Sequence, residues 1–285
     1  MSETTTTDEV LAGVDLSGRT VLITGASAGL GIETVRALQS RGAEVVGAVR
    51  DLDKARAVID CDLVELDLAD LSSVRKGAHD AADRLPRIDL LINNAGVMAC
   101  PLLRTADGFE MQLGTNHLGH FAWTTALLGN LGPEARIINL SSRGHLRSGM
   151  RWDDPHFRDE STYDKWKAYG QSKTANVLFT TGLAARGYTA HAVHPGVIIT
   201  ELGRHLTADD SSDLAKRLPT FKTIPQGAAT TVYAATAPDL PNGSYLEDCA
   251  VSGPVSADYE SGYMPWAVDP EQAERLWTWS LEQTA

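Results

Sequence analysis

The 285-residue sequence predicts an α/β fold, a single domain built on a doubly wound parallel sheet with helices on both faces. Three observations carry that prediction. Short apolar, β-branched segments alternate with segments of helical spacing, which is the signature of βαβ units. The strand-like segments are apolar almost without interruption, as strands covered on both faces are. No fixed-period repeat and no linker rich in Pro, Gly or Ser divides the chain.

The elements follow in order. Arg19–Thr24 (RTVLIT) is the first strand, and Leu30–Ser40 a helix with Ile32, Val35 and Leu38 along one side. Glu44–Val49, Asp62–Leu66 and Ile88–Ile92 are the next three strands, with a helix over Leu71–Leu85. Asn116–Leu128 reads as a helix with Leu118, Phe121, Thr125 and Leu128 on one face. Arg136–Leu140 is a fifth strand and Tyr188–His194 a sixth. Residues 1–12 read as a disordered polar tail, and residues 13–285 as the domain. Two polar stretches interrupt the pattern, Arg143–Asp164 and Thr200–Pro219. Both follow strand ends, where a doubly wound sheet binds its ligands, so both are expected to act as lids.

Composition excludes several classes of function. The balance of 25 Lys and Arg against 37 Asp and Glu leaves a net charge of −12. Nucleic acid and anionic membranes both call for a basic face, so neither is an expected partner. A small-molecule substrate fits better. Cys61, Cys100 and Cys249 are odd in number, far apart and without a C-x-x-C pair. No disulfide or zinc framework is expected, and a reducing, cytoplasmic location fits. The N-terminus lacks the basic and apolar regions of a signal peptide, and no apolar run is long enough to span a bilayer.

The chemistry is carried by ordered motifs. Thr24-Gly25-Ala26-Ser27-Ala28-Gly29-Leu30-Gly31 follows a strand and opens a helix. Glycines there let the backbone turn tightly and approach a pyrophosphate, which the helix N-terminus attracts. Taken alone, the G-x-x-x-G-x-G spacing also suits an ordinary strand-to-helix turn. Asn93-Asn94-Ala95-Gly96 follows the fourth strand, Ser141-Ser142 ends the fifth, and His194-Pro195-Gly196-Val197-Ile198-Ile199-Thr200 ends the sixth. Tyr169-Gly170-Gln171-Ser172-Lys173 is a Y-x-x-x-K on a predicted helix. A tyrosine titrates near about 10, too high for a good base at neutral pH. Tyr169 and Lys173 share a helix face, so the cation is expected to lower the Tyr169 pKa and let the hydroxyl pass protons to a carbonyl or alcohol oxygen.

Together these motifs resemble the short-chain dehydrogenase/reductase family from about residue 18 to the C-terminus. The branch that resembles it most is that of the retinol dehydrogenases and WW-domain oxidoreductases. The residues behind this are the long gap from Ser142 to Tyr169, Gln226-Gly227-Ala228-Ala229-Thr230-Thr231, and Ala192-Val193-His194-Pro195-Gly196. The resemblance implies a Rossmann-type sheet of about seven strands. It also implies that Ser142 steadies the reacting oxygen, that Lys173 also holds the nicotinamide ribose, and that Asn116 carries a water relay. Ser142 is preferred to its neighbour Ser141 because the second serine acts in the family. Asn94, Ala95 and Gly96 resemble the contact near the adenosine ribose, and Asp67-Leu68 the adenine pocket, although Asp67 also reads as a helix N-cap. Pro195, Gly196, Ile198 and Thr200 resemble the segment that faces the carboxamide and phosphates. With Gly25, Ser27, Gly29, Leu30, Gly31, Tyr169 and Lys173, these make the expected cofactor site. A homodimer or homotetramer, paired through the helices starting near Asn116 and Lys165, is the implied assembly, which the long stretch after Ser142 leaves open.

Cofactor choice rests on the end of the second strand. An NAD enzyme places a carboxylate there for the ribose hydroxyl, whereas this chain has Val49 and then Arg50, which suits a 2′-phosphate. NADP(H) is favoured, and NAD(H) remains the alternative because Asp51 follows. The pairs His117/His120 and His191/His194 lack carboxylate or Cys partners, and no metal is expected. Trp152, Trp166, Trp266, Trp277 and Trp279 read equally as core and as a hydrophobic substrate wall. The sequence therefore predicts an NADP(H)-dependent oxidoreductase that interconverts a carbonyl and an alcohol by hydride transfer on a small-to-medium apolar substrate. Two other readings stand beside it: a C=C reductase of an enone or pigment, and a non-catalytic cofactor sensor.

Overall fold

A computed structural model describes residues 1–210, 212, 221–255 and 261–285. β1 (Thr20–Thr24), β2 (Glu44–Val49), β3 (Asp62–Glu65), β4 (Ile88–Asn93), β5 (Leu131–Leu140), β6 (Thr189–Val193), β7 (Tyr245–Glu247) and β8 (Ala250–Val251) form one sheet. Their order is β3-β2-β1-β4-β5-β6-β7-β8. All neighbours pair parallel except β7 and β8. The eight strands stand against about seven expected. The last two are too short to carry a periodic signal.

The helices are α1 (Thr7–Val10), α2 (Gly29–Gln39), α3 (Leu52–Arg56), α4 (Leu71–Arg84), α5 (Met111–Leu113), α6 (Gly119–Leu127), α7 (Lys165–Ala185), α8 (Ile224–Thr236) and α9 (Pro270–Thr284). In β1, Val21 and Ile23 point to one face and Leu22 to the other, and all three are fully buried. The first face packs under α2 and α8 through Val35, Leu38, Ala229 and Val232. The second packs under α4, α6 and α7 through Val74, Ala78, Phe121, Leu127 and Phe179. This two-sided burial is why the strands read as unbroken apolar runs. β1 lies between β2 and β4, where the winding reverses, so the carboxyl ends of β1 and β4 open the ligand crevice.

Residues 1–12 depart from the expected tail. Thr6 and Glu9 form a reciprocal capping box on α1. Thr7 is fully buried and donates to Glu33 of α2, and Arg36 of α2 reaches Asp8 at 2.9 Å. Leu11 is buried in the layer of α2 and α8. The threonines that suggested disorder act as caps and clasps.

Arg143–Asp164 is docked rather than free. Gln171 of α7 accepts the Arg151 N–H and donates to the Pro155 carbonyl, both at 2.8 Å. The Trp152 indole donates to Gln272 of α9 at 2.6 Å. Of the second expected lid, Thr200–Pro219, residues 211 and 213–219 lie outside the described residues. The tryptophans of α9 serve packing: Trp277 meets Phe121 edge-on at 5.2 Å, and Trp279 meets Trp152 at 6.5 Å.

Candidate active site

The crevice begins at the end of β1. Gly25 adopts φ +68°, and a Cβ there would fall 2.8 Å from the Ala95 Cα. A Cβ on Gly31 would fall 2.1 Å from the Gly25 carbonyl oxygen. Only glycines permit so tight a turn. Ala28 caps α2 without a side-chain bond, so the Gly29 and Leu30 N–H groups stay available at the crevice, while that of Gly31 is taken by the Ala28 carbonyl at 3.0 Å. An uncapped N-terminus beside a glycine turn fits a phosphate-bearing cofactor. Leu30 and Ile198 both abut Gly227 of α8, where a Cβ would lie 2.5 Å from Ile198 Cγ1. Thr200 stands 3.2 Å from the Cβ position of Gly29, so the Pro195–Thr200 segment lies against the same turn as Ser27 and Gly29.

Thr24 organises this turn, and sequence reading missed it. Its hydroxyl oxygen accepts the N–H groups of Asn94 and Ala95, each at 3.0 Å. With both lone pairs used, its proton goes to His120 Nε2 at 2.8 Å. His120 Nδ1–H then donates to the Asn116 carbonyl at 3.0 Å. Burial holds the His120 pKa down at about 4, so the ring is neutral. His117 Nε2 meets Ser280 Oγ at 2.8 Å. Among the described residues, no cluster of three or more His, Cys, Asp and Glu could hold a metal ion. The Asn94 amide donates to the Thr24 and Gly25 carbonyls at 2.9 and 3.2 Å, so its hydrogens brace the turn.

Ser142, Tyr169, Lys173 and Asn116 come together at the ends of β4 and β5. Ser142 lies beside the Tyr169 hydroxyl, whose pKa it lowers, and its Oγ accepts the Gly144 N–H at 3.0 Å. Ser141 turns away and donates to the Lys173 carbonyl. Gly144 is a second residue that sequence reading missed. A Cβ there would sit 2.7 Å from Tyr169 Cε1, and only the tertiary approach of the two segments reveals the need for glycine. Asn116 lies in a π-helical turn, Gly114–Leu118, a feature frequent at functional sites. It accepts the Val97 N–H at 2.8 Å and donates to the Val97 carbonyl and to Ser172 Oγ, each at 2.9 Å. Both its amide hydrogens are committed, so its side chain is a clamp and offers no hydrogen to a water relay. Gly96 faces this group, its Cβ position 3.2 Å from Asn116 Oδ1 and 3.7 Å from Lys173 Nζ.

The electrostatics correct one expectation. Burial pushes Tyr169 up to about 12, and the neighbouring Ser142 side chain is the one opposing cause. Lys173 does not depress it in this geometry. Its Nζ lies 5.7 Å from the ring centroid and donates to the Leu140 carbonyl at 2.9 Å, and burial lowers Lys173 itself to about 8. At neutral pH Tyr169 is therefore a proton donor and Lys173 a cation.

The far end of the crevice holds a cavity of about 350 Å³ lined by Arg50, Glu65, Asp67, Asp70, Ser72, Ser73 and Lys76. Arg50 is exposed. Asp51 caps α3, accepting the Lys54 N–H at 2.9 Å. The cap of α4 is Asp70 rather than Asp67, which instead accepts the Ala69 N–H at 2.9 Å. Leu68 is buried beside it.

Comparison with known proteins finds relatives over nearly the whole chain. The family model described as short chain dehydrogenase matches residues 19–153. The Streptomyces lividans protein named "Probable oxidoreductase" is 42% identical, covering 94% of this chain and 98% of its own. Retinol dehydrogenase 14 of Homo sapiens is 38% identical, covering 92% of this chain and 85% of its own. A crystal structure of an uncharacterized Mycobacterium Paratuberculosis protein superposes with a TM-score of 0.75 at 40% identity, covering 95% of this chain and 94% of that one. A blue fluorescent protein from a metagenomic library, in complex with NADPH, superposes with a TM-score of 0.65 at 26% identity, covering 81% and 96%. Among the described residues, no helix is long and apolar enough to cross a membrane.

Proposed function

The chain belongs to the short-chain dehydrogenase family, a nicotinamide-dependent oxidoreductase of small molecules, and from that premise we propose that it interconverts a carbonyl and an alcohol, with NADP(H) preferred. The observation that carries the reading is Ser142 beside the buried Tyr169 hydroxyl, with the Lys173 cation one helical turn on and 5.7 Å from the ring. When bound, the nicotinamide supplies or takes up the hydride. Ser142 Oγ and the Tyr169 hydroxyl grip the reacting oxygen, and Tyr169 Oη gives that oxygen a proton in reduction and recovers it in oxidation. Lys173 Nζ holds the ribose beside them. Gly25, Ser27, Gly29, Leu30 and Gly31 cradle the pyrophosphate, and Asn94, Ala95, Gly96, Pro195, Gly196, Ile198 and Thr200 line its flanks. Asp67, Leu68 and Arg50 receive the adenosine end. The substrate is small to medium and apolar.

The test is a panel of aldehydes, ketones and alcohols offered with both cofactors, followed by nicotinamide absorbance and by product analysis. Reduction of a carbonyl with NADPH is expected. Turnover confined to C=C bonds would overturn the reading.

NADP(H) preference is supported by the neutral Val49, the exposed Arg50 and the commitment of Asp51 to capping α3. Arg50→Ala should weaken NADPH binding by roughly ten- to a hundredfold in a fluorescence titration, the value of a charge-assisted phosphate contact. NADH binding should barely change. Equal losses for both cofactors would mean that Arg50 only packs on the adenine.

A further inference from the structure

Directly beyond Ser142, the fully buried His145 joins two segments that are far apart in sequence. Its Nδ1 meets the Ser142 carbonyl oxygen at 2.6 Å. Its Nε2 meets the Met264 N–H at 3.2 Å. Neither partner can exchange roles, because a carbonyl only accepts and an amide N–H only donates. The proton must therefore sit on Nδ1, and Nε2 must carry a lone pair. Burial, which holds the imidazole neutral, supports that assignment. The ring also lies against Tyr245 at 5.1 Å between centroids.

The Ser142 carbonyl accepts the backbone N–H of His145 as well, at 3.0 Å. Two donors from one residue thus fix the peptide that carries Ser142 Oγ. Met264 lies in the segment that leads through the turn Pro265–Ala267 into α9. We propose that His145 is a positioning residue: its Nδ1–H holds Ser142 in register with Tyr169, while its Nε2 anchors the Met264 segment. This rests on the role proposed above for Ser142 and Tyr169, but concerns a residue that touches neither of their hydroxyls.

Two substitutions separate the bonds. In His145→Asn, the amide can replace Nδ1–H toward Ser142 but cannot reach Met264. In His145→Gln, the amide oxygen can replace Nε2 toward Met264 but leaves the Ser142 carbonyl without its side-chain donor. Crystal structures should show Ser142 Oγ kept beside the Tyr169 hydroxyl in His145→Asn and displaced from it in His145→Gln. Turnover of 4-nitrobenzaldehyde with NADPH should follow: His145→Gln loses roughly 10- to 100-fold in kcat, the cost of a misplaced catalytic group, with its KM little altered. His145→Asn should keep most of its kcat and show its defect mainly in KM. In the native protein, nitrogen NMR at neutral pH should find the proton on Nδ1. A proton on Nε2, or equal kcat losses in the two variants, would overturn the proposal. Tyr169→Phe is run in parallel. If that variant stays active, or the native protein reduces no carbonyl, the functional reading fails, while NMR and crystallography still decide the positioning role.

Discussion

A single methyl group at position 144 is expected to disable the site. The Gly144→Ala side chain would press on Tyr169 Cε1 and force the phenol away from Ser142. kcat should fall roughly a hundredfold or more while NADPH affinity, read by fluorescence titration, stays close to native. Unchanged kcat would show that the loop yields more easily than its packing suggests. Lys173 gives a prediction of opposite sign for stability. Its pKa in the folded chain, about 8, lies below the ordinary 10.5. Below about 8 both folded and unfolded chains carry the charge, and folding bears the full desolvation cost; between 8 and 10.5 the folded chain sheds its proton and the cost is relieved. Lys173→Met should therefore lose turnover yet be more stable than native at pH 7, with the gap closing as pH rises toward 10.5. The Leu140 carbonyl keeps its bond from Asn176 at 2.9 Å, so the substitution orphans nothing there. Urea unfolding of both proteins at neutral and alkaline pH checks the sign, and a less stable variant at pH 7 would refute it. Tyr169 and Lys173 were legible in the sequence because helical spacing is local, whereas Ser142 was singled out from its neighbour Ser141 only by the family resemblance. Gly144, Thr24 and His145 were not legible, because what they touch is set by segments distant in the chain. Spacing also showed that Tyr169 and Lys173 share a face, but not that burial outweighs the cation.

Elements differ in how firmly they are held. Arg143–Asp164 is fixed to α7 and α9 by buried and half-buried hydrogen bonds. Apart from the partly buried pair of Asp210 with Lys165 of α7, residues 200–210 rest on exposed ties such as the ion pair between Glu201 and Lys54 of α3 at 3.0 Å. Such pairs contribute only about 0–1 kcal/mol. Hydrogen exchange with and without NADPH should therefore show new protection in residues 200–210 and little change in residues 143–164. The reverse pattern would restore the first stretch as the lid. The parallel strands and their covering helices were readable because burial on both faces writes continuous apolar runs. α1 was not, since a single turn of three polar residues and Val10 with one capping box resembles a tail until Thr7 meets Glu33. The π-helical turn at Asn116 was equally silent, because one extra residue in a turn leaves the apolar spacing almost unchanged.

At the scale of the whole molecule, α9 lies across α6 and α7. Trp277 packs on Phe121 and Phe179, and Ser280 meets His117. These are the helices through which the family resemblance implied pairing, and this chain covers part of that face with its own C-terminal helix. We therefore expect light scattering to give a monomer, or a dimer that survives substitutions on the exposed flanks of α6 and α7. A dimer abolished by those substitutions would contradict this. The central proposal is that Tyr169 donates the proton to a carbonyl oxygen. Tyr169→Phe keeps the ring and removes only the hydroxyl that carries that proton. The most direct measurement is its kcat for carbonyl reduction beside its NADPH affinity. The expected result is a kcat lower by roughly 10²–10⁴-fold with affinity retained. Near-native turnover would contradict the account.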